Sequence, residues 1–289
     1  MKILYIKIFM HDKNNNALLN YKNINFTIIA HTNIDLIDIT KFDCVYSPSQ
    51  TIDVKKYPNT KFIFGPHFSV FPEKNQMDVI RRKNVIYIQP SEWAAEVWIN
   101  NPLCQDIKVL PLPFGVDTEK FKDIKPICDR NKVFIYFKTR DPSLLNSIKI
   151  FLRTKGVDYV IFNYNTKYNE KEYINHIQNS KYGIWIGRHE SQGFALEEAL
   201  SCNVPLLVWN VKSMNEEYGY NYKDIPATTI PYWDERCGEY FYNLNELEVV
   251  FNKFILNINN YKPREYVLEN LSFNVCEKKL IHLINNMDI

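Results

Sequence analysis

The 289-residue chain is short of several things that would each have named a function class. It has only 8 glycines, and no Gly-x-Gly-x-x-Gly turn follows an early strand, which argues against a nicotinamide-dependent oxidoreductase. It has no Asp-x-Asp pair to hold a divalent cation. The six cysteines, Cys44, Cys104, Cys128, Cys202, Cys237 and Cys276, are scattered without close pairs. That spacing argues against a zinc site and suits reduced thiols in a cytoplasmic compartment. No apolar run approaches the length of a membrane span, and the opening MKILYIKIFMHDKNNN, broken by Lys7 and without a small-residue cleavage site, reads as a first strand. Charge of one sign is also lacking: 35 Lys+Arg against 33 Asp+Glu leave +2, so no nucleic-acid partner is expected and any field a substrate feels must be local. There is no internal repeat and no low-complexity tract.

What is present is an alternation of short apolar strands and amphipathic segments. The first half offers strands near Ile3 to Phe9, Phe26 to Ala30, Cys44 to Tyr46, Lys61 to Phe64, Val85 to Ile88 and Lys108 to Leu112. A helix from Ser91 to Asn100 opens on an N-cap serine. Residues 114 to 131, with Gly115, Asp117, Pro126 and Asp129, read as a connection before the strand Val133 to Phe137. Helix and strand then alternate to Gly187, the signature of a parallel α/β sheet. The length exceeds what one ordinary core organises, so two α/β domains are expected: 1–117, a linker over 118–131, and 132–289.

The richest segment is GIWIGRHESQGFALEEALSCNVPLLVW, residues 183 to 209. An apolar strand runs into a polar loop, then into a helix of good formers, then into a second strand after Pro205. A helix that starts directly beyond a buried parallel strand points its free N–H groups and the positive end of its dipole outward from the sheet edge, where anions collect. Gly193 lets backbone approach a ligand there, and the amides of Gly193, Phe194 and Ala195 suit a diphosphate or sugar oxygen. Glu190 precedes the helix and Glu198 lies more than one turn inside it, so one extended ligand with hydroxylated rings at both ends and a negative middle can touch both carboxylates. A nucleotide-diphosphate sugar has that form. Glu197, beside Glu198, is expected on a solvated face.

The segment ESQGFALEEALSCNVPLLV resembles the donor-site signature of retaining glycosyltransferases of the B-type fold, in the broad glycosyltransferase group 4. LPLPFGVDTEKF (Leu110 to Phe121) is similar to that group's interdomain segment, with Phe114 where Asn is usual, and Lys262 to Ile284 to its closing helices. The resemblance implies two Rossmann-like domains with a cleft between them and C-terminal helices packing back. It also implies transfer of a sugar from its nucleotide to an acceptor hydroxyl with retention, with no metal and no cofactor beyond the donor. By the same resemblance Glu190 faces the donor sugar and Glu198 the ribose. Lys138 and Arg140, just after the strand Val133 to Phe137, would stabilise the departing diphosphate, and Tyr164 at the next strand end would stack on the base. Arg188 could reach the phosphate or simply solvate its loop, and His189 could touch donor hydroxyls, although a lone loop histidine is more often solvated. His67, after the strand Lys61 to Phe64, is the candidate on the acceptor side, with a buried structural histidine equally open. The usual glycine-rich loop after the first strand is replaced by MHDKNNN. A nucleotide-sugar epimerase of the same fold and a non-catalytic glycosyltransferase-like partner remain as alternatives.

Overall fold

The computed structural model describes residues 1–166 and 168–287. The chain forms two compact units, one of residues 1–115 with 273–289 and the other of residues 116–272. The chain thus leaves the first unit at Gly115 and its last helix returns to it, whereas the sequence reading kept residues 132–289 together.

The first unit holds β1 (Lys2–Ile6), α1 (Asp12–Leu19), β2 (Asn25–Ile29), β3 (Cys44–Ser47), β4 (Phe62–Phe64), α2 (Lys74–Ile80), β5 (Val85–Gln89), α3 (Glu92–Ile99) and β6 (Lys108–Pro111). The six strands form one sheet in the order β2-β1-β3-β4-β5-β6, every pairing parallel. Parallel strands need crossovers on the sheet faces, so central strands are covered on both sides and read as unbroken apolar runs. Every residue of β3, β4 and β5 is buried, while edge strand β2 is largely exposed. Trp98 of α3 lies flat on Tyr87 of β5, with ring centroids 4.1 Å apart. Ser91 does stand at the N-cap of α3, yet its hydroxyl makes no capping hydrogen bond.

The second unit holds β7 (Lys132–Lys138), α4 (Pro142–Thr154), β8 (Val160–Asn163), α5 (Glu170–Gln178), β9 (Ser180–Gly187), α6 (Phe194–Ser201), β10 (Leu206–Trp209), β11 (Gly238–Phe241), α7 (Leu247–Leu256) and α8 (Pro263–Asn270). Its five strands run parallel in the order β11-β10-β9-β7-β8. Side chains of β7 and β9 alternate between two cores. Phe134, Tyr136 and Trp185 face one, with Leu196 and Leu200 of α6, while Ile135, Phe137, Ile184 and Ile186 face the other, with Phe251 and Phe254 of α7. Gly183 in β9 is fixed by packing, since a Cβ there would lie 2.3 Å from Cζ of Phe134.

The last helix, α9 (Phe273–Asn285), is bound to the first unit by polar anchors. The Glu277 carboxylate accepts from the backbone N–H of Asn23 and, at 3.0 Å, from its side-chain amide, and Lys61 Nζ donates to Ile284 O at 2.9 Å. Among the described residues no helix is long and apolar enough to cross a membrane.

Candidate functional site

The site is assembled on the carboxyl edge of the second sheet, where each parallel strand delivers its following loop to the same side. In sheet order the contributions are Tyr164 after β8, Lys138 at the end of β7, Arg188, His189 and Glu190 after β9, and the long segment that follows β10.

Lys138 and Glu190 come together. Nζ of Lys138 lies 2.7 Å from Oε1 of Glu190, with both side chains only 12% exposed. The same ammonium stands 4.4 Å from the centre of the Tyr164 ring, a cation–π contact, and Tyr164 leaves half its surface to solvent. Three residues separated by up to 52 positions thus form one cluster because β7 is the neighbour of both β8 and β9.

The loop between β9 and α6 is tied to the segment that follows β10. The backbone N–H of Glu190 donates to Thr228 O at 2.9 Å. Gly193 is the N-cap of α6 with φ 88° and ψ 36°, the left-handed region that a side chain disfavours. A Cβ at Gly193 would meet nothing closer than 3.7 Å, so it is backbone handedness that demands glycine here. No side chain caps the helix, whose first turn contains Phe194 and Ala195; the Tyr173 hydroxyl donates to Ala195 O at 2.7 Å and pins that turn to α5. Glu198 is buried in the second turn of α6.

Glu197 corrects the sequence reading. It is 1% exposed, and both its carboxylate oxygens accept from Nε2 of Gln192, at 2.8 and 3.1 Å. Burial drives its pKa well up; the Gln192 hydrogen bond opposes this, and the neighbouring Glu198 and Glu190 add to it. α6 is covered on nearly every side, so the helical period carried no solvent face for Glu197 to occupy.

Arg140 turns away from the pair. Only 3% exposed, it donates through Nη1 to Gly187 O at 3.0 Å and Trp209 O at 3.3 Å, and its Nη2 lies 3.3 Å from Oε2 of Glu216. Its guanidinium ties the ends of β9 and β10 together. Asp141, its neighbour, N-caps α4 by accepting from Ser143 N at 2.8 Å. Arg188 donates through Nη1 to Oε2 of Glu217 at 3.1 Å. His189, expected in solvent, is buried with Nε2 3.4 Å from that same oxygen. Burial, then the nearby charges of Arg188 and Lys138, lowers the His189 pKa to about 3, so the ring is neutral and its contact with Glu217 is not an ion pair. Glu216 and Glu217 were not singled out from the sequence. Their partners lie 76 and 29 residues away, and no local spacing signals such pairs.

In the first unit His67 follows β4, as expected. It is largely enclosed: Nε2 accepts from His11 N at 3.5 Å, and Phe9 meets the ring edge-on at 5.5 Å. Burial, helped by His11, lowers its pKa to about 4.

No family model matches the sequence, and no curated protein does. Solved structures do. The lipopolysaccharide outer core galactosyltransferase WaaB in its apo form superposes with a TM-score of 0.54 at 13% identity, covering 99% of both chains. Its fold is that of the B-type glycosyltransferases. Sucrose-phosphate synthase from Thermosynechococcus elongatus gives 0.51 at 10% identity, over 85% of this chain and 73% of that one. The N-terminal domain of Candida albicans trehalose-6-phosphate phosphatase gives 0.55 at 12% identity, over 99% of this chain and 89% of that one. A B-type fold thus occurs under both transferase and phosphatase titles, so the chemistry has to be argued from the site.

Proposed function

We propose that the protein is a glycosyltransferase that moves a sugar from a nucleotide-diphosphate sugar to an acceptor hydroxyl of carbohydrate type, with retention and without a divalent metal. The observation that carries this reading is the Lys138–Glu190 pair at 2.7 Å beside the start of α6, with the Tyr164 ring against the same ammonium. Aromatic face, cation and carboxylate follow one another along the sheet edge in the order base, phosphate and sugar would need. Strands stand about 4.8 Å apart, so β8 to β9 spans roughly 10 Å, within the length of an extended nucleotide sugar.

In this reading Tyr164 stacks on the base and Glu198 binds the ribose. Lys138 and the N-terminal turn of α6 (Gly193, Phe194, Ala195) take the diphosphate, and Glu190 takes hydroxyls of the donor sugar. The reaction breaks the bond between the anomeric carbon and the phosphate oxygen and forms one to the acceptor oxygen on the same face. The acceptor's proton passes to the departing phosphate, and Lys138 with the helix dipole stabilises the charge that develops there. Arg140 acts through position, because its hydrogen bonds tie the chain just after Lys138 to the ends of β9, which leads into Glu190, and of β10. His67 is proposed for the acceptor side. Metal independence rests on the basic groups and the missing Asp-x-Asp pair, and a cytoplasmic setting on six cysteines scattered without close spacing.

The test is calorimetry with UDP, GDP and ADP and their common sugar derivatives, followed by product analysis. At least one nucleoside diphosphate should bind at micromolar to millimolar strength, and Glu198→Ala should weaken it. Failure of every nucleotide to bind would overturn the proposal, and conversion of a nucleotide sugar without any acceptor would replace it with an epimerase.

A further inference from the structure

The segment between β10 and β11 is not a slack connection. It closes on itself through Met214 N to Ile225 O at 2.9 Å and Ala227 N to Lys212 O at 3.1 Å, with an antiparallel bridge between Ser213 and Pro226. Its middle is tied to the strand ends already described. Glu216 meets Arg140 at 3.3 Å, Glu217 meets Arg188 at 3.1 Å, and Tyr218 N donates to Thr139 O at 3.0 Å. Beyond those ties it displays three tyrosines in five residues. Tyr218 and Tyr220 are 55% and 59% exposed, and the rings of Tyr220 and Tyr222 lie parallel within 5° with centroids 5.7 Å apart. Tyr222 in turn meets His189, the residue before Glu190, edge to face at 5.7 Å.

Resting on the proposed function, we infer that Tyr220, backed by the parallel ring of Tyr222, forms a stacking platform for a pyranose ring, adjoining the sugar end of the donor site. An exposed aromatic face fits the apolar C–H face of a pyranose, and rings held by a tethered loop bind without first being ordered. The segment reaches back to the end of β7, where Tyr218 N meets Thr139 O beside Lys138, and to the end of β9, where Tyr222 meets His189 beside Glu190, so the platform borders the Lys138–Glu190 pair. A pyranose joined to a diphosphate at Lys138 therefore lies within reach of the tyrosines. The ring is either the donor's sugar or the acceptor's, and the two differ in what a variant changes.

The experiment compares the wild type with Tyr220→Ala, Tyr222→Ala and Tyr220→Phe, each shown folded by its thermal midpoint. Calorimetry uses UDP, GDP and ADP with UDP-glucose, UDP-galactose, GDP-mannose and ADP-glucose; saturation-transfer NMR uses methyl α-glucopyranoside and methyl α-galactopyranoside with the best-binding diphosphate present. If the donor sugar rests on the platform, the alanine variants weaken the nucleotide sugar by about three- to tenfold and leave the bare diphosphate unchanged, while the phenylalanine variant keeps wild-type affinity. If the acceptor rests there, nucleotide-sugar affinity holds and the saturation transfer to the methyl glycosides is lost with alanine only. The inference is overturned if both alanine variants match the wild type in both arms, or if they weaken bare diphosphate as much as nucleotide sugar. A wild type that binds no nucleotide defeats the proposed function itself, and the platform with it.

Discussion

Replacing Glu190 with glutamine should tighten the binding of a bare nucleoside diphosphate while nearly abolishing sugar transfer. In the free protein the Glu190 carboxylate occupies the ammonium of Lys138 at 2.7 Å, so an incoming phosphate has to displace it. At that distance and an effective dielectric constant of about 20 the gross attraction is about 6 kcal/mol. Desolvation and side-chain ordering leave a net of roughly 1 to 2 kcal/mol for a pair this little exposed. Glutamine keeps the shape and one acceptor, so about 1 kcal/mol is released, equivalent to about a fivefold gain in diphosphate affinity. Removing a negative charge beside the phosphates acts in the same direction. Transfer, in contrast, should fall about a hundred- to thousandfold, because the contact to the donor sugar's hydroxyls is lost where the transition state needs it. Calorimetry with UDP, GDP and ADP and a coupled assay of diphosphate release measure the two effects. Lys138→Met provides the counterpart, losing about tenfold or more in diphosphate affinity, and Glu190→Gln should gain less in the Lys138→Met background than in the wild type, because only the removed charge and not the competition for the ammonium still acts there. Weaker or unchanged diphosphate binding by Glu190→Gln would refute the competition between carboxylate and phosphate for Lys138.

Three further outcomes follow from the same geometry. Glu197→Gln should be stabilised relative to the wild type by a margin that grows as pH rises above the ordinary carboxylate range, seen as a thermal-midpoint difference measured from pH 4.5 to 8. The sign follows from a folded-state pKa raised by burial: the unfolded chain loses that proton first, so wild-type stability falls with rising pH while the amide is indifferent. Gly193→Ala should cost about 1 to 2 kcal/mol through its left-handed backbone, with no steric term since contacts stay at 3.7 Å or more, and chemical denaturation reads it directly. His67 should stay neutral by NMR across pH 5 to 8, its pKa lowered to about 4. Its contribution to stability is present above the unfolded value near 6.5 and lost as pH falls toward 4, and His67→Gln should flatten that part of the profile.

Sequence alone determined the class of fold and the local frame of the candidate site. Strands and helices alternate because apolar runs of strand length lie between amphipathic segments, and that periodicity is a local property that needs no partner to be read. The helix after β9, its glycine start and the two acids flanking it are local too: the left-handed Gly193 sits where its neighbours in sequence require it. Everything that depends on which strand lies beside which was decided by the tertiary structure. Lys138, Glu190 and Tyr164 meet because the sheet order is β9-β7-β8, and no spacing along the chain encodes that adjacency. By sequence Arg140 is expected at the diphosphate and Arg188 either there or solvating its loop, yet Glu216 and Glu217 of one distant turn take both. Glu197 looked like solvent-facing charge because helical patterning counts residue types and cannot see a helix enclosed on nearly all sides, where a buried acid persists by finding Gln192. A charge's fate is set by its long-range partners and by what covers it, and those exist only once the chain has folded.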